Sequence, residues 1–137
     1  MPTLESDQEI RTLLRNAHTI AVVGMSDKPY RDSYQIGLYL HEQGFTIVPV
    51  NPTIREVIGI PAFPDLDSIG HEVDIVDIFR RAEHVPEIVD AAIRCRAGAI
   101  WMQFGATHLP AAARASAAGL RVVPNRCIMV EHRRLLR

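Results

Sequence analysis

The run Thr19-Ile-Ala-Val-Val-Gly24, followed by Met25-Ser-Asp-Lys-Pro-Tyr-Arg-Asp-Ser33, decides the fold. The first part is apolar without alternation, β-branched and closed by glycine. A strand with one wet face alternates apolar and polar residues, so continuous hydrophobicity predicts a strand covered on both sides. The second part is a polar loop, and Ser33 can cap a helix that runs to about Gln43 and stops at Gly44.

Outward from this unit the same alternation repeats. Further strands are expected at Thr46–Val50, Val73–Phe79, Ala99–Gln103 and Leu120–Val123. Pro86 and Pro110 open helices that stop before Gly98 and Gly119, the usual asymmetry of proline near the start and glycine past the end. Two more helices are expected around Ser6–Arg15 and Ile128–Leu136. Strands alternating with helices build right-handed βαβ units. The expected fold is α/β: one Rossmann-like domain over residues 1–137, a parallel sheet of five or six strands with helices on both faces. The proline-rich stretch from Asn51 to Gly70 is irregular, with room for one short helix.

Composition agrees and excludes other classes. At 137 residues, 47% hydrophobic and 23% charged, the chain suits a single buried core. No stretch approaches the roughly 18 apolar residues that span a bilayer, and the polar N-terminus lacks a signal-peptide pattern, so a soluble cytoplasmic protein is expected, with no membrane partner. A net charge of −1 argues against nucleic-acid binding. Charge is nonetheless uneven, with five arginines and one glutamate between Arg121 and Arg137, either a solvated helix or a surface for an anion or acidic partner. Cys95 and Cys127 lack a CxxC spacing and are expected as reduced thiols.

In open parallel sheets ligands bind outside the carboxyl ends of the strands, so the residues that follow strand ends are the candidates. After the first strand come Gly24, Ser26, Lys28, Arg31 and Ser33, and Lys28 is the only lysine in the chain. Glycine permits close approach, and the helix start favours phosphate. After the second come Val50, Asn51 and Pro52. A dinucleotide-binding domain usually places an acid roughly 20 residues beyond its glycine loop, so neutral Asn51 counts against NAD. After the third come Phe79 and Arg80, preceded by Asp77 inside an apolar run, where a carboxylate calls for hydrogen bonds or an arginine partner. After the fourth come Gln103 and Gly105.

These motifs, Val23-Gly-Met-Ser-Asp-Lys-Pro-Tyr-Arg-Asp-Ser33, Val48-Pro-Val-Asn-Pro52, Val76-Asp-Ile-Phe-Arg80, Trp101-Met-Gln-Phe-Gly105 and Asn125-Arg-Cys-Ile-Met-Val-Glu-His132, occur in one order. Together they resemble the single-domain CoA-binding proteins, themselves similar to the N-terminal CoA-binding domain of the succinyl-CoA synthetase α subunit. The resemblance covers about Ile20 to His132. It implies a Rossmann-type domain whose cofactor is coenzyme A or an acyl-CoA. Gly24, Ser26, Lys28, Arg31 and Ser33 would line the phosphates, Val50, Asn51 and Pro52 the adenosine end, and Phe79, Arg80, Gln103 and Gly105 the pantetheine path. Asn125 stands where the family pattern suggests an acid. The synthetase's phosphohistidine belongs to a second domain without counterpart in these residues, so the resemblance carries over binding and not ligase chemistry.

No catalytic constellation is complete. HExxH, CxxC and GxSxG are missing, and His18, His41, His71, His84, His108 and His132 lack metal-ligand spacing, so no metal site is expected. Asp74 and Asp77, three apart on a strand, point to opposite faces. Cys127, near Arg121, Arg126 and His132, is the better nucleophile candidate, either a small buried hydrophobe or a thiol able to form a mixed disulfide with CoA. The expectation is non-catalytic CoA or acyl-CoA binding, as a sensor or accessory subunit, with a homodimer or another protein partner open. The alternatives are a nicotinamide-dependent oxidoreductase and a CoA-dependent acyl transferase.

Overall fold

The computed structural model describes Thr3, Leu4 and residues 6–136. In chain order the elements are α1 (Asp7–Asn16), β1 (Thr19–Val23), α2 (Asp32–Glu42), β2 (Thr46–Val50), β3 (Glu56–Val57), β4 (Ile60–Pro61), β5 (Ile75–Ile78), a 3-10 turn (Ala82–His84), α3 (Val85–Arg94), β6 (Ala99–Met102), α4 (Leu109–Ala117), β7 (Arg121–Val123) and α5 (Ile128–Leu136). β1, β2, β5, β6 and β7 form one parallel sheet in the order β2-β1-β5-β6-β7. The order turns back between β1 and β5, which opens a crevice at their carboxyl ends.

Pleating distributes the strand residues between two layers. Val23, Val50, Val76, Ile78, Ile100 and Met102 pack with α3 and α4, while Ile20, Val22, Ile47, Ile75 and Trp101 pack with α1, α2 and α5. Both faces of the sheet are therefore apolar, which is why its strands read as unbroken hydrophobic runs.

The irregular segment holds no helix. It folds as the antiparallel β3–β4 pair, with Ile58 and Gly59 at positive φ in the turn. Beyond it Phe63 makes a parallel bridge to Val50. Phe63 N–H donates to the Pro49 carbonyl and Asn51 N–H to the Phe63 carbonyl, both at 2.9 Å. A sixth strand is thus reduced to one residue, which covers the edge of β2. The third strand is shorter than its apolar run. Asp74 stays outside it, its Oδ2 accepting the His18 N–H at 2.7 Å and the Thr19 N–H at 2.9 Å.

Two local expectations are corrected. Arg31 occupies the N-cap of α2 with no side-chain bond, and Ser33 lies within the first turn. Asp77, expected to have hydrogen bonds or an arginine partner, is completely buried between Val22 and Trp101, and neither carboxyl oxygen finds a hydrogen-bond partner among the described residues. Burial pushes its pKa well above the ordinary carboxylate value of 3.8.

Candidate functional site

The β1–α2 loop is held by its own side chains. Met25 is fully buried and packs so closely on α2 that a Cβ at Gly37 would lie 2.4 Å from its Cε. Ser26 N–H donates to Ser33 Oγ at 2.9 Å, and Lys28 N–H donates to Ser26 Oγ at 3.0 Å. Each serine oxygen thus accepts from the backbone, and its own O–H hydrogen is left to donate outward. Asn51 reaches across from β2: Nδ2 donates to the Met25 carbonyl at 3.0 Å, and Oδ1 accepts from Thr53 N–H and Oγ at 2.9 and 2.8 Å. Asn51 is both a turn residue and a tie between two loops, a role its position before Pro52 only half suggested.

Two cavities flank the strand ends. One, about 550 Å³, is polar and lies on the α2 side, lined by the whole loop from Ser26 to Ser33 except Pro29, with Gly24, Asn51, Thr53, Ile54 and Phe79. The other, about 290 Å³, lies on the α3 side over Val23, Val50, Leu66, Ile88 and Ala91, with Pro52 and Arg80 at its mouth. Successive residues go to alternate cavities: Val23 and Gly24, Val50 and Asn51, Phe79 and Arg80. This is the strand pleat carried past the last ladder bond.

Gly24 sits where these surfaces meet, with φ at +87°. A Cβ there would lie 2.7 Å from the Phe79 carbonyl oxygen and 2.9 Å from Arg80 Cδ. Only glycine accommodates both the backbone conformation and the approach.

Three cations around the crevice, Lys28, Arg31 and Arg80, have no close acid partner among the described residues. Lys28 has Asp27 as its nearest carboxylate, at 3.9 Å, and the side chains of Arg31 and Arg80 form no hydrogen bond or ion pair among the described residues. Arg94, Arg114 and Arg134, by contrast, are bound to Asp67, Asp90 and Asp7 at 2.7–2.9 Å.

The structure brings Gly24, Ser26, Lys28, Arg31, Ser33, Asn51 and Phe79 to the polar cavity, and Val50, Pro52 and Arg80 to the apolar one. Gln103 and Gly105 line neither. Gln103 is buried, and its Oε1 accepts the Ile128 N–H at 3.0 Å, capping α5 from the end of β6. Gly105 is exposed, with open space around it. Tyr30, Thr53 and Ile54 join the polar cavity, and Leu66 and Ile88 the apolar one, without having been singled out in the sequence, and His84, weighed there only as a metal ligand, also lines the apolar one. Tyr30, an aromatic in a polar loop and three-quarters exposed, offered the one usable signal.

The basic C-terminus is largely spent on packing. Glu131, buried, receives Arg126 Nη1 at 2.6 Å and Arg134 Nε at 2.8 Å, while Arg133 stacks 4.9 Å over the Tyr39 ring. His132 Nδ1 lies 2.7 Å from Tyr39 Oη, and His108 Nδ1 accepts the Ala111 N–H at 3.1 Å at the start of α4. Asn125 has φ +53°, a conformation asparagine tolerates better than most residues, which accounts for its place there. Cys127 is buried against the α5 layer and lines neither cavity. Among the described residues no cluster of His, Cys, Asp or Glu could hold a metal ion, and no helix is long and apolar enough to cross a membrane.

A parallel five-stranded sheet, helices on both faces and a loop-lined crevice at its switch point define an α/β domain of the ligand-binding, Rossmann-like class. More particularly, the chain belongs to the CoA binding domain family, which matches residues 18–133. It is 36% identical over 127 residues to the "uncharacterized protein YneT" of Bacillus subtilis (strain 168), covering 93% of this chain and 94% of that one. The solved structure of a hypothetical protein from Pyrococcus horikoshii OT3 superposes with a TM-score of 0.95 at 37% identity, over 100% of this chain and 98% of the other. The apo dinucleotide-forming acetyl-coenzyme A synthetase 1 of Ca. Korarchaeum cryptofilum matches with a TM-score of 0.72 at 28% identity, over 82% of this chain but 27% of its own length.

Proposed function

We propose that the crevice binds coenzyme A or an acyl-CoA, with phosphates in the polar cavity, and that the protein acts through this binding, as a cytoplasmic sensor or as an accessory subunit. The observation that carries the reading is the placement of Lys28, whose one acid within 4 Å is Asp27 at 3.9 Å, and of Arg31, whose side chain bonds none of the described residues, around a cavity lined by Gly24, in a chain of the CoA binding domain family. Phosphate oxygens would accept from the lysine, the guanidinium, the free serine hydroxyl hydrogens and the first N–H groups of α2. Neutral Asn51 places no carboxylate beside them.

The test is thermal unfolding with CoA, acetyl-CoA, NAD, NADP and ATP in parallel. Ligand at a hundredfold its Kd adds about 2.7 kcal/mol, which raises Tm by about 8–12 °C in a domain of this size. CoA species alone should produce the shift, and Lys28→Ala and Arg31→Ala should each diminish it. A shift with NAD or NADP and none with CoA overturns the reading in favour of an oxidoreductase.

A further inference from the structure

A CoA molecule must place three chemically different parts: a pyrophosphate, a flat apolar-faced base, and a ribose carrying a 3′-phosphate between them. The crevice has matching division. The polar cavity lies on one side of the strand ends and the apolar one on the other, and Gly24 and the Val50–Pro52 turn form the ridge between them. The apolar floor of Val23, Val50, Leu66 and Ile88 suits a ring whose faces gain from leaving water. Asp65 and Glu87 line the same cavity and can accept from an exocyclic amine.

Arg80 stands at the ridge. It lines the apolar cavity, yet its Cδ would be 2.9 Å from a Cβ on Gly24, so its stem lies directly against a residue that floors the polar one. The other basic groups lining the apolar cavity have acidic neighbours: Arg94 is bound to Asp67 at 2.8 Å, and the His84 imidazole faces Glu87 at 3.7 Å. Arg80 alone among these three has no bond or ion-pair partner among the described residues. A ribose bridging the two cavities must cross this ridge, which brings its 3′-phosphate beside the free guanidinium.

We infer that the apolar cavity takes the adenine ring and that Arg80 is the residue that recognises the ribose 3′-phosphate, distinguishing CoA from dephospho-CoA. This rests on the CoA reading above, and it moves Arg80 from the pantetheine path to the adenosine end.

Calorimetric titration of the wild-type chain, Arg80→Gln and Arg81→Gln with CoA, dephospho-CoA and adenosine 3′,5′-bisphosphate tests it. Arg81 is a fair control, an adjacent and largely exposed arginine whose nearest acid is Glu83 at 3.8 Å. The wild type should prefer CoA over dephospho-CoA by about tenfold or more, the range of a charge-assisted bond. Arg80→Gln should bring CoA to the level of dephospho-CoA and leave dephospho-CoA unchanged, while Arg81→Gln should keep the preference. The bisphosphate should displace CoA and lose affinity in Arg80→Gln by the same factor. Equal wild-type affinities for CoA and dephospho-CoA, a preference that survives Arg80→Gln, or equal losses of both ligands would overturn the role of Arg80. A bisphosphate that fails to compete overturns the base placement. If CoA does not bind the wild type at all, the CoA reading itself falls.

Discussion

Asn51 Nδ2 donates to the Met25 carbonyl at 3.0 Å and so fastens the end of β2 to the loop that follows β1. The same side chain accepts two bonds from Thr53, leaving its oxygen fully engaged within the protein. An aspartate could keep the Thr53 bonds, but its second oxygen would face the Met25 carbonyl with no proton to share. Asn51→Asp should therefore cost about 1–3 kcal/mol in stability and weaken CoA binding further by adding negative charge near the phosphates. Urea unfolding and titration of the same variant check both, and a variant that binds CoA more tightly would contradict the placement of the ligand.

Gly24→Ala is expected to be worse than its size suggests. The backbone φ of +87° disfavours any L side chain, and the new methyl would meet the Phe79 carbonyl at 2.7 Å. Strain of this kind costs on the order of 1–3 kcal/mol, and relief requires moving the β5 end away from the crevice. Chemical denaturation should show the loss, together with weaker CoA binding even where the variant remains folded. Wild-type stability in this variant would mean that the strand ends yield to the added methyl at little cost.

Asp77 opposes folding at neutral pH. Its carboxyl has no hydrogen-bond partner among the described residues, and burial raises its pKa well above 3.8. As pH rises past the ordinary value, the unfolded chain gains by ionising while the folded one holds its proton, so stability falls until the raised folded pKa is passed. Asp77→Val, similar in bulk and suited to a central strand, should be more stable than wild type at pH 7 by about 1–3 kcal/mol. The advantage should shrink as the pH is lowered toward 4, and denaturation midpoints across pH 4–8 would show it. A variant less stable than wild type at pH 7 would reveal a partner for the carboxyl.

Glu131 behaves in the opposite sense. Burial alone would raise its pKa, but the bonds from Arg134 and Arg126 outweigh burial and hold it below the ordinary 4.5. A depressed carboxylate stabilises the fold above that ordinary value and loses the contribution as pH falls through the folded pKa. Glu131→Gln should cost about 1–3 kcal/mol at pH 7, reduced from the fully buried case because both arginines are partly exposed. The deficit should narrow in acid. A deficit independent of pH would assign the loss to packing.

How far the sequence is legible can be judged residue by residue. The βαβ alternation, the parallel sheet and the helix limits near Pro86, Pro110, Gly44 and Gly119 follow from local patterns, because a strand buried on both faces must be continuously apolar. The β3–β4 hairpin was hidden because its strands are two residues long, too short for any periodicity. Ser33 looked like a cap, and became instead an acceptor for Ser26 N–H, a choice made by how the loop folds back on α2.

What the sequence by itself determined is which residues reach the strand ends, since that depends on where each apolar run stops. Which cavity each residue faces was decided only by the tertiary structure. The pleat sends Gly24, Asn51 and Phe79 to one side and Val23, Val50 and Arg80 to the other, once the register of β1, β2 and β5 is set by long-range pairing. The isolation of Asp77 and the engagement of Gln103 with α5 arise in the same way. Each depends on partners 24 residues or more away in the chain, which no local pattern of residue types specifies.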